Sequence, residues 1–334
     1  MLHSFFSNRA RPARLPRVVL LTALAGGLLA LLPSCSKDSE PVAETPVPAR
    51  ISVPQAGVYP EGIQWDDANK RFYVSSRAKG TVGTVRDDST YTEFGKDSRL
   101  ISTIGLNLDA SRSRLLAAVS DNNFNPSVQN QPTLRKLAAL AIFNTSTGAL
   151  SSYVDLGGLR PALMHFANDM AVDKDGNVYI TDSMAPIIYK VDLQGNASVF
   201  LENAQLSGGT GFGLNGIVYH PDGYLLTAKT SDGTLFKVPI SNPTGFTTVT
   251  KTQSLVGADG LLLFDNTTLL VVAGNQSTVY RMTTADAWAS ATSTGSFATG
   301  AVSPTTITRR GADAYVLYPY AATAPRFKIV KVSF

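Results

Sequence analysis

The chain has 334 residues, of which 44% are hydrophobic and 16% charged, with one cysteine and a net charge of +4. This composition excludes a disordered chain and a disulfide-built scaffold, and it supplies enough apolar material for a large core. The positive excess is local: Arg9, Arg11, Arg14 and Arg17 account for all of it, and the rest of the chain holds 25 basic against 25 acidic residues. No run of Lys and Arg with interleaved aromatics appears there, so nucleic acid is not an expected partner.

Those four arginines precede an apolar run from Val18 to Leu32, which is short for a membrane span and placed like the core of a secretion signal. The run ends in Leu32-Pro33-Ser34-Cys35. This tetrapeptide resembles a bacterial lipobox, with Leu at −3, a small residue at −1 and cysteine at the cleavage point. The resemblance implies a lipoprotein signal peptide over residues 1–34 and lipidation of Cys35; the alternative is an ordinary signal peptide with an incidental cysteine. With Cys35 acylated, no thiol remains for a disulfide or a nucleophile. Residues 35–50 are polar and proline-rich and read as a tether spanning up to ~45 Å at about 3.1 Å per residue. Ser36 and the S-K-D-S-E run resemble sorting and surface-export signals of lipoproteins in the Bacteroidetes. They imply a lipid-anchored protein of the bacterial cell envelope, held at the outer membrane without spanning it.

From about Ile51 the chain is organised by repetition. Its clearest unit runs from Phe166 to Phe200. Asp169–Asp173 alternates towards an apolar face, K-D-G-N at Lys174–Asn177 reverses the chain, and Val178–Asp182, Ile187–Val191 and Ala197–Leu201 follow as strands. Period-2 apolar runs separated by Asp/Asn/Gly turns are the pattern of antiparallel hairpins. A lone sheet of this kind leaves a face uncovered, so copies must stack on it.

The copies are aligned by a short lead-in before each first strand. Pro60-Glu61-Gly62, Ile104-Gly105-Leu106, Asn168-Asp169, Leu214-Asn215-Gly216, Ala258-Asp259-Gly260 and Ser303-Pro304-Thr305 mark six of them. Most intervals are roughly 44–47 residues, the length of a four-stranded propeller blade. The longer step from Gly105 to Asn168 holds the polar segment Asp121–Lys136, expected as an inserted loop. Thr284–Ser290 is expected to make one helical turn. The predicted fold is therefore all-β: a six-bladed β-propeller with four-stranded antiparallel blades over residues 51–334. The segment after Arg50 is expected to pair with the terminal strand Phe327–Val332 and close the ring, and the domain is expected to be monomeric.

In such a ring, residues at the same point of successive repeats converge at one mouth of the central channel. Glu61, Asn168, Asn215 and Asp259 are four oxygen donors in equivalent lead-ins. They suit a divalent metal cation, Ca²⁺ foremost, with Mg²⁺, Mn²⁺ or Zn²⁺ acceptable. The competing interpretation is local capping of the backbone by Asn and Asp, natural for any one of them but a weaker account of four.

The motifs P-E-G at Pro60–Gly62, N-D-M-A-V-D-K-D-G-N-V-Y-I-T-D at Asn168–Asp182, L-N-G-I-V-Y-H-P-D-G at Leu214–Gly223 and A-D-G-L-L-L at Ala258–Leu263 together resemble the SMP-30/gluconolactonase/LRE-like family. The resemblance implies a metal-dependent hydrolase of lactones or related esters. Glu61, Asn215 and Asp259 would be direct metal ligands, with Asn168 completing the site or orienting substrate. Asp259 would also serve as the catalytic base towards water.

Family members often carry an arginine two positions before the N-D asparagine, where this chain has Phe166. That change disfavours a phosphorylated or strongly anionic sugar and favours a more apolar lactone or ester. His165, beside it, has two interpretations: a proton shuttle near neutral pH, or a loop histidine satisfied by hydrogen bonds. His220, in a turn, is expected at the surface.

Three apparent motifs lack their context. G-F-G-L-N-G at Gly211–Gly216 leads into a strand, so it reads as a loop at the channel mouth. Asp173-Lys-Asp175-Gly-Asn177 begins like an EF-hand but has Met184 where Glu is required. No G-x-S-x-G elbow is present. The alternative to an enzyme is a non-catalytic propeller lipoprotein that binds a glycan, a small molecule or a protein, since the fold hosts both roles.

Overall fold

The computed structural model describes residues 47–319 and 326–334. The signal sequence, Cys35 and the tether up to residue 46 lie outside the described residues.

The hairpins form because their turns are chemically specified. At Asp173–Asn177 the Asp173 carboxylate accepts from the backbone N–H groups of Asp175 and Asn177, both at 2.9 Å, and from the Asn177 side-chain amide at 2.7 Å. Gly176 then takes φ +86, which closes the turn at little steric cost. What began like an EF-hand is this hairpin turn.

Six sheets result, each a blade whose first strand lies innermost. Blade 1 is Ile63–Asp66, Arg71–Ser75, Val82–Val85 and Tyr91–Gly95. Blade 2 is Ser102–Asp109, Arg114–Ser120, Ala138–Asn144 and Leu150–Asp155. Blade 3 is Ala167–Val172, Val178–Asp182, Ile187–Val191 and Ala197–Glu202, and blade 4 is Leu214–His220, Tyr224–Lys229, Leu235–Pro239 and Thr247–Thr248. Blade 5 is Ala258–Asp265, Thr268–Ala273, Thr278–Thr283 and Ser290–Ala298, with Thr250–Lys251 added in parallel at its edge. Blade 6 takes Ile307–Arg310, Asp313–Tyr318 and Phe327–Lys331 from the end of the chain and its outermost strand, Arg50–Val53, from the start.

That last pairing closes the ring. Ile51 faces Ile329 and Val53 faces Phe327 in antiparallel register, and all four side chains are buried. The core is the stack of blade faces. Ile104, Leu116 and Leu140 of blade 2, for example, pack against Met170, Ile180 and Ile187 of blade 3. Full burial of each such side chain contributes roughly 1.5–3 kcal/mol.

Three expectations change in detail. Thr284–Ser290 is not a helical turn: Ala287 and Trp288 have φ of 53 and 65, and Asp286 accepts from Ser290 N at 2.9 Å instead. His220 is buried, not on the surface; its ring stacks on Tyr224 at 4.2 Å and its Nε2 meets the Asn266 carbonyl at 2.9 Å. Blade 5 carries a fifth strand. Among the described residues the only helical pieces are single 3-10 turns.

A channel of roughly 930 Å³ runs between the innermost strands from the level of Asp169 to the far face.

Candidate active site

The first strand of blades 2 to 5 breaks its pairing at the same place. The register jumps between Thr103 and Leu106, Ala167 and Met170, Leu214 and Ile217, and Ala258 and Leu261. Each jump leaves two residues outside the ladder: Ile104-Gly105, Asn168-Asp169, Asn215-Gly216 and Asp259-Gly260. A β-bulge of this kind re-aims the bulged side chains: Asp169 lines the channel, whereas Ile104 stays in the core between blades 2 and 3. Glu61-Gly62 stands at the corresponding point before the first strand of blade 1.

The glycines permit neighbouring blades to touch. A Cβ at Gly105 would lie 2.3 Å from the Asn168 carbonyl, and one at Gly216 would lie 2.2 Å from the Asp259 carbonyl. Among blades 1 to 5 only blade 3 has a side chain at this second position, Asp169. Its carboxylate lies against Gly105 and accepts from the Met170 N–H at 2.9 Å.

Hydroxyls from the second strands fix the two asparagines. Asn168 Nδ2 donates to Ser183 Oγ at 2.8 Å, and Ser183 donates to the Leu214 carbonyl of blade 4 at 2.6 Å. Asn215 Nδ2 donates to Thr230 Oγ1 at 3.2 Å, and Thr230 donates to the Ala258 carbonyl of blade 5 at 2.8 Å. One amide donor of each asparagine is thus spent on the scaffold. Thr305, just before the first strand of blade 6, donates to the Glu61 carbonyl at 2.9 Å and ties blade 6 to blade 1.

Three carboxylates share this poorly solvated space. Burial, with the nearby charges of Glu61 and Asp169, pushes Asp259 well above the ordinary aspartate range, against the opposing pull of Arg77 and the Asn215 amide. Asp169 is pushed up to about 7 by burial and by Glu61, although the Met170 and Ile217 N–H groups pull it down. Burial also raises Glu61, opposed by Arg77, whose Nη1 lies 3.2 Å from Glu61 Oε2. One guanidinium faces Glu61 and Asp259, and Asp169 adds a third acid beside them.

The donor set fits a hard divalent cation. Glu61 Oε2 is buried with no hydrogen-bond partner, two amide oxygens are held in place, and the acids would ionise together only with more positive charge nearby. Among the described residues no three of His, Cys, Asp or Glu form a ready cage, so a cation here would depend on the asparagines as well.

The other expected residues fall as follows. Phe166 is buried at the mouth, 6.1 Å from the Phe124 ring and 5.5 Å from the Phe212 ring. His165 is fully buried; its Nδ1 lies 2.8 Å from Asp182 Oδ2 and its Nε2 lies 2.9 Å from the Arg160 carbonyl. Both ring nitrogens therefore face acceptors within the fold, and neither is open to a proton in the channel. The sequence analysis missed Asp169 and Arg77. Lining up the lead-ins E-G, N-D, N-G and D-G exposes the first, as an acid where the others have glycine; nothing local marks the second.

A family model described as SMP-30/Gluconolactonase/LRE-like region matches residues 59–318. No curated protein matches the chain. Among solved structures, the major allergen Mala s 1 of Malassezia sympodialis superposes with a TM-score of 0.69 at 18% identity, covering 86% of this chain and 97% of that one. A calcium-binding regucalcin from Agrobacterium tumefaciens gives 0.61 at 15% identity, with 86% and 95% covered. A gluconolactonase from Xanthomonas campestris gives 0.59 at 15% identity, with 84% and 88% covered. At these identities the structural likeness speaks for the propeller alone.

Proposed function

The chain belongs to the SMP-30/gluconolactonase/LRE-like family, and on that premise we propose that it is a divalent-cation-dependent hydrolase of lactones or related esters, acting at a bacterial cell-envelope surface. The observation that carries this reading is the meeting of Asp259 with Asn215 and with Glu61 and Asp169, poorly solvated acids short of positive charge, with Asn168 at the equivalent bulge of blade 3. The regucalcin and gluconolactonase likenesses favour calcium and lactones as the first cation and substrates to try. The envelope location rests on the lipobox-like Leu32–Cys35.

Glu61, Asn215 and Asp259 would hold the cation, with the Asn168 carbonyl oxygen completing its shell or orienting the substrate. When bound, a divalent cation supplies polarisation of the scissile carbonyl and acidification of water. The Asp259 carboxylate accepts the proton from attacking water, whose oxygen adds to the carbonyl carbon. Burial and the neighbouring acids make Asp259 more basic than a solvated aspartate, which offsets part of what the cation takes away. The ring C–O bond then breaks, and Asp259 returns the proton to the alkoxide. Phe166, Phe124 and Phe212 shield the mouth from bulk water, and they match an apolar acyl or aryl group better than a sugar acid.

The test is a panel of lactones and aryl esters assayed with calcium and after chelation. Turnover that needs the cation and is lost in Asp259→Asn supports the hydrolase. Cation uptake with no turnover on any member of the panel selects the second reading, a binding propeller, which the existing Arg77–Glu61 ion pair favours.

A further inference from the structure

Arg77 stands two residues past the second strand of blade 1, and its backbone N–H donates to the Tyr59 carbonyl at 3.2 Å. Its guanidinium carbon lies 4.9 Å from the Phe124 ring centroid. Phe124 comes from the inserted segment after Ser120, which Asn125 anchors by donating to the Ile101 carbonyl at 2.8 Å. Phe124 packs edge-on against Phe166, and Phe166 against Phe212, whose ring is 39% exposed at the channel mouth. The insertion therefore supplies Phe124 to a continuous row: one guanidinium, then three aromatic rings, of which Phe212 is the exposed one.

The guanidinium is only partly used. Its approach to Glu61 is an ion pair and not a hydrogen bond, and Arg77 Nε is buried with no partner at all. The Arg77 side chain is 26% exposed, which leaves part of its fork within reach of a ligand oxygen. Arginine offers a planar fork of N–H groups suited to a carboxylate, and an aromatic wall beside it suits a flat apolar group.

We infer that Arg77 is a specificity-determining residue, and that with Phe124, Phe166 and Phe212 it recognises an arylalkyl carboxylate, the form in which an aryl lactone leaves after ring opening. This rests on the cation reading above, because a cation at Glu61 and Asp259 offsets the negative charge that those acids carry when ionised and that would repel such an anion. Ring opening by water produces the carboxylate beside Arg77 and the hydroxyl on the released arm, so no further reactant is needed.

The experiment is calorimetric titration of the full chain with calcium, then of the calcium-loaded protein with 3-phenylpropanoate and its neutral amide. The wild type should bind the carboxylate about tenfold more tightly than Arg77→Gln, while the amide should not distinguish the two proteins. Arg77→Lys should recover part of the difference, and Phe124→Ala should weaken both ligands, which separates charge recognition from a general loss of structure. Calcium uptake with equal carboxylate affinity in wild type and Arg77→Gln overturns the inference alone. No calcium uptake by the wild type removes the cation reading and the inference with it.

Discussion

Asn168 reaches the channel through a hydroxyl that belongs to two blades at once: its amide donates to Ser183 at 2.8 Å, and Ser183 donates across the blade boundary to Leu214 at 2.6 Å. The side chain that presents an oxygen to the mouth is therefore held by the same contact that seats blade 3 on blade 4. Ser183→Ala should leave the Asn168 amide and the Leu214 carbonyl unpaired, at a stability cost of about 1–3 kcal/mol in denaturant unfolding. Cation affinity should fall several-fold in the same variant, read by titration. Unchanged affinity would show that Asn168 does not contribute a ligand.

Asp259 carries two opposite effects. In the absence of a cation it is a poorly solvated acid among acids, raised well above its ordinary value. Asp259→Asn should therefore raise the melting midpoint of the cation-free protein by roughly 2–4 °C, the shift that about 1 kcal/mol gives a domain of this size. The same variant should lose any calcium-dependent rise in melting temperature. A variant less stable than wild type without calcium would contradict the electrostatic account.

His165 supplies the pH dependence. Burial pushes its pKa down, but the Asp182 hydrogen bond and charge and the Arg160 carbonyl outweigh it, so the folded value lies above 6.5. The folded state thus binds the proton more tightly than the unfolded chain. The resulting stability is complete below about pH 6.5 and is lost as pH rises through the folded value. His165→Gln should cost more at pH 5.5 than at pH 8.5, by about 3 kcal/mol at the lower pH for breaking a buried pair. Equal losses at both values would mean that the ring is neutral when folded. Lactone turnover by the surviving folded protein should change little, since neither ring nitrogen reaches the channel.

Closure depends on four residues near the start of the folded unit, which begins at Val47. A chain starting at Val47 should melt like the full protein. A chain starting at Pro54 lacks Ile51 and Val53 and exposes the edge of Phe327–Lys331, and it should unfold several degrees lower or aggregate through that edge. Val53→Asp should have the same effect by placing a charge opposite Phe327. A midpoint unaffected by loss of the strand would show that the ring does not need it.

The amino-acid sequence by itself determined the propeller, because the information is local and repeated. Turns such as Asp173–Asn177 state their own geometry, period 2 states the strand, and the spacing of the lead-ins states the number of blades. It also determined which residues share the same place in successive lead-ins, so Glu61, Asn168, Asn215 and Asp259 were legible as a set. What only the tertiary structure decided is which other groups meet them. Asp169 reads as one step of an alternating strand until the bulge between Ala167 and Met170 turns it into the channel. Arg77 meets Glu61 because two strands pair, and it meets Phe124 because an insertion from another blade folds over the mouth. His220 reads as a turn residue and is buried by Tyr224 and the carbonyl of a loop 46 positions away. Local chemistry fixes the backbone of each blade, but charge balance at the mouth is a sum over blades, and only closure of the ring brings its terms within reach of one another.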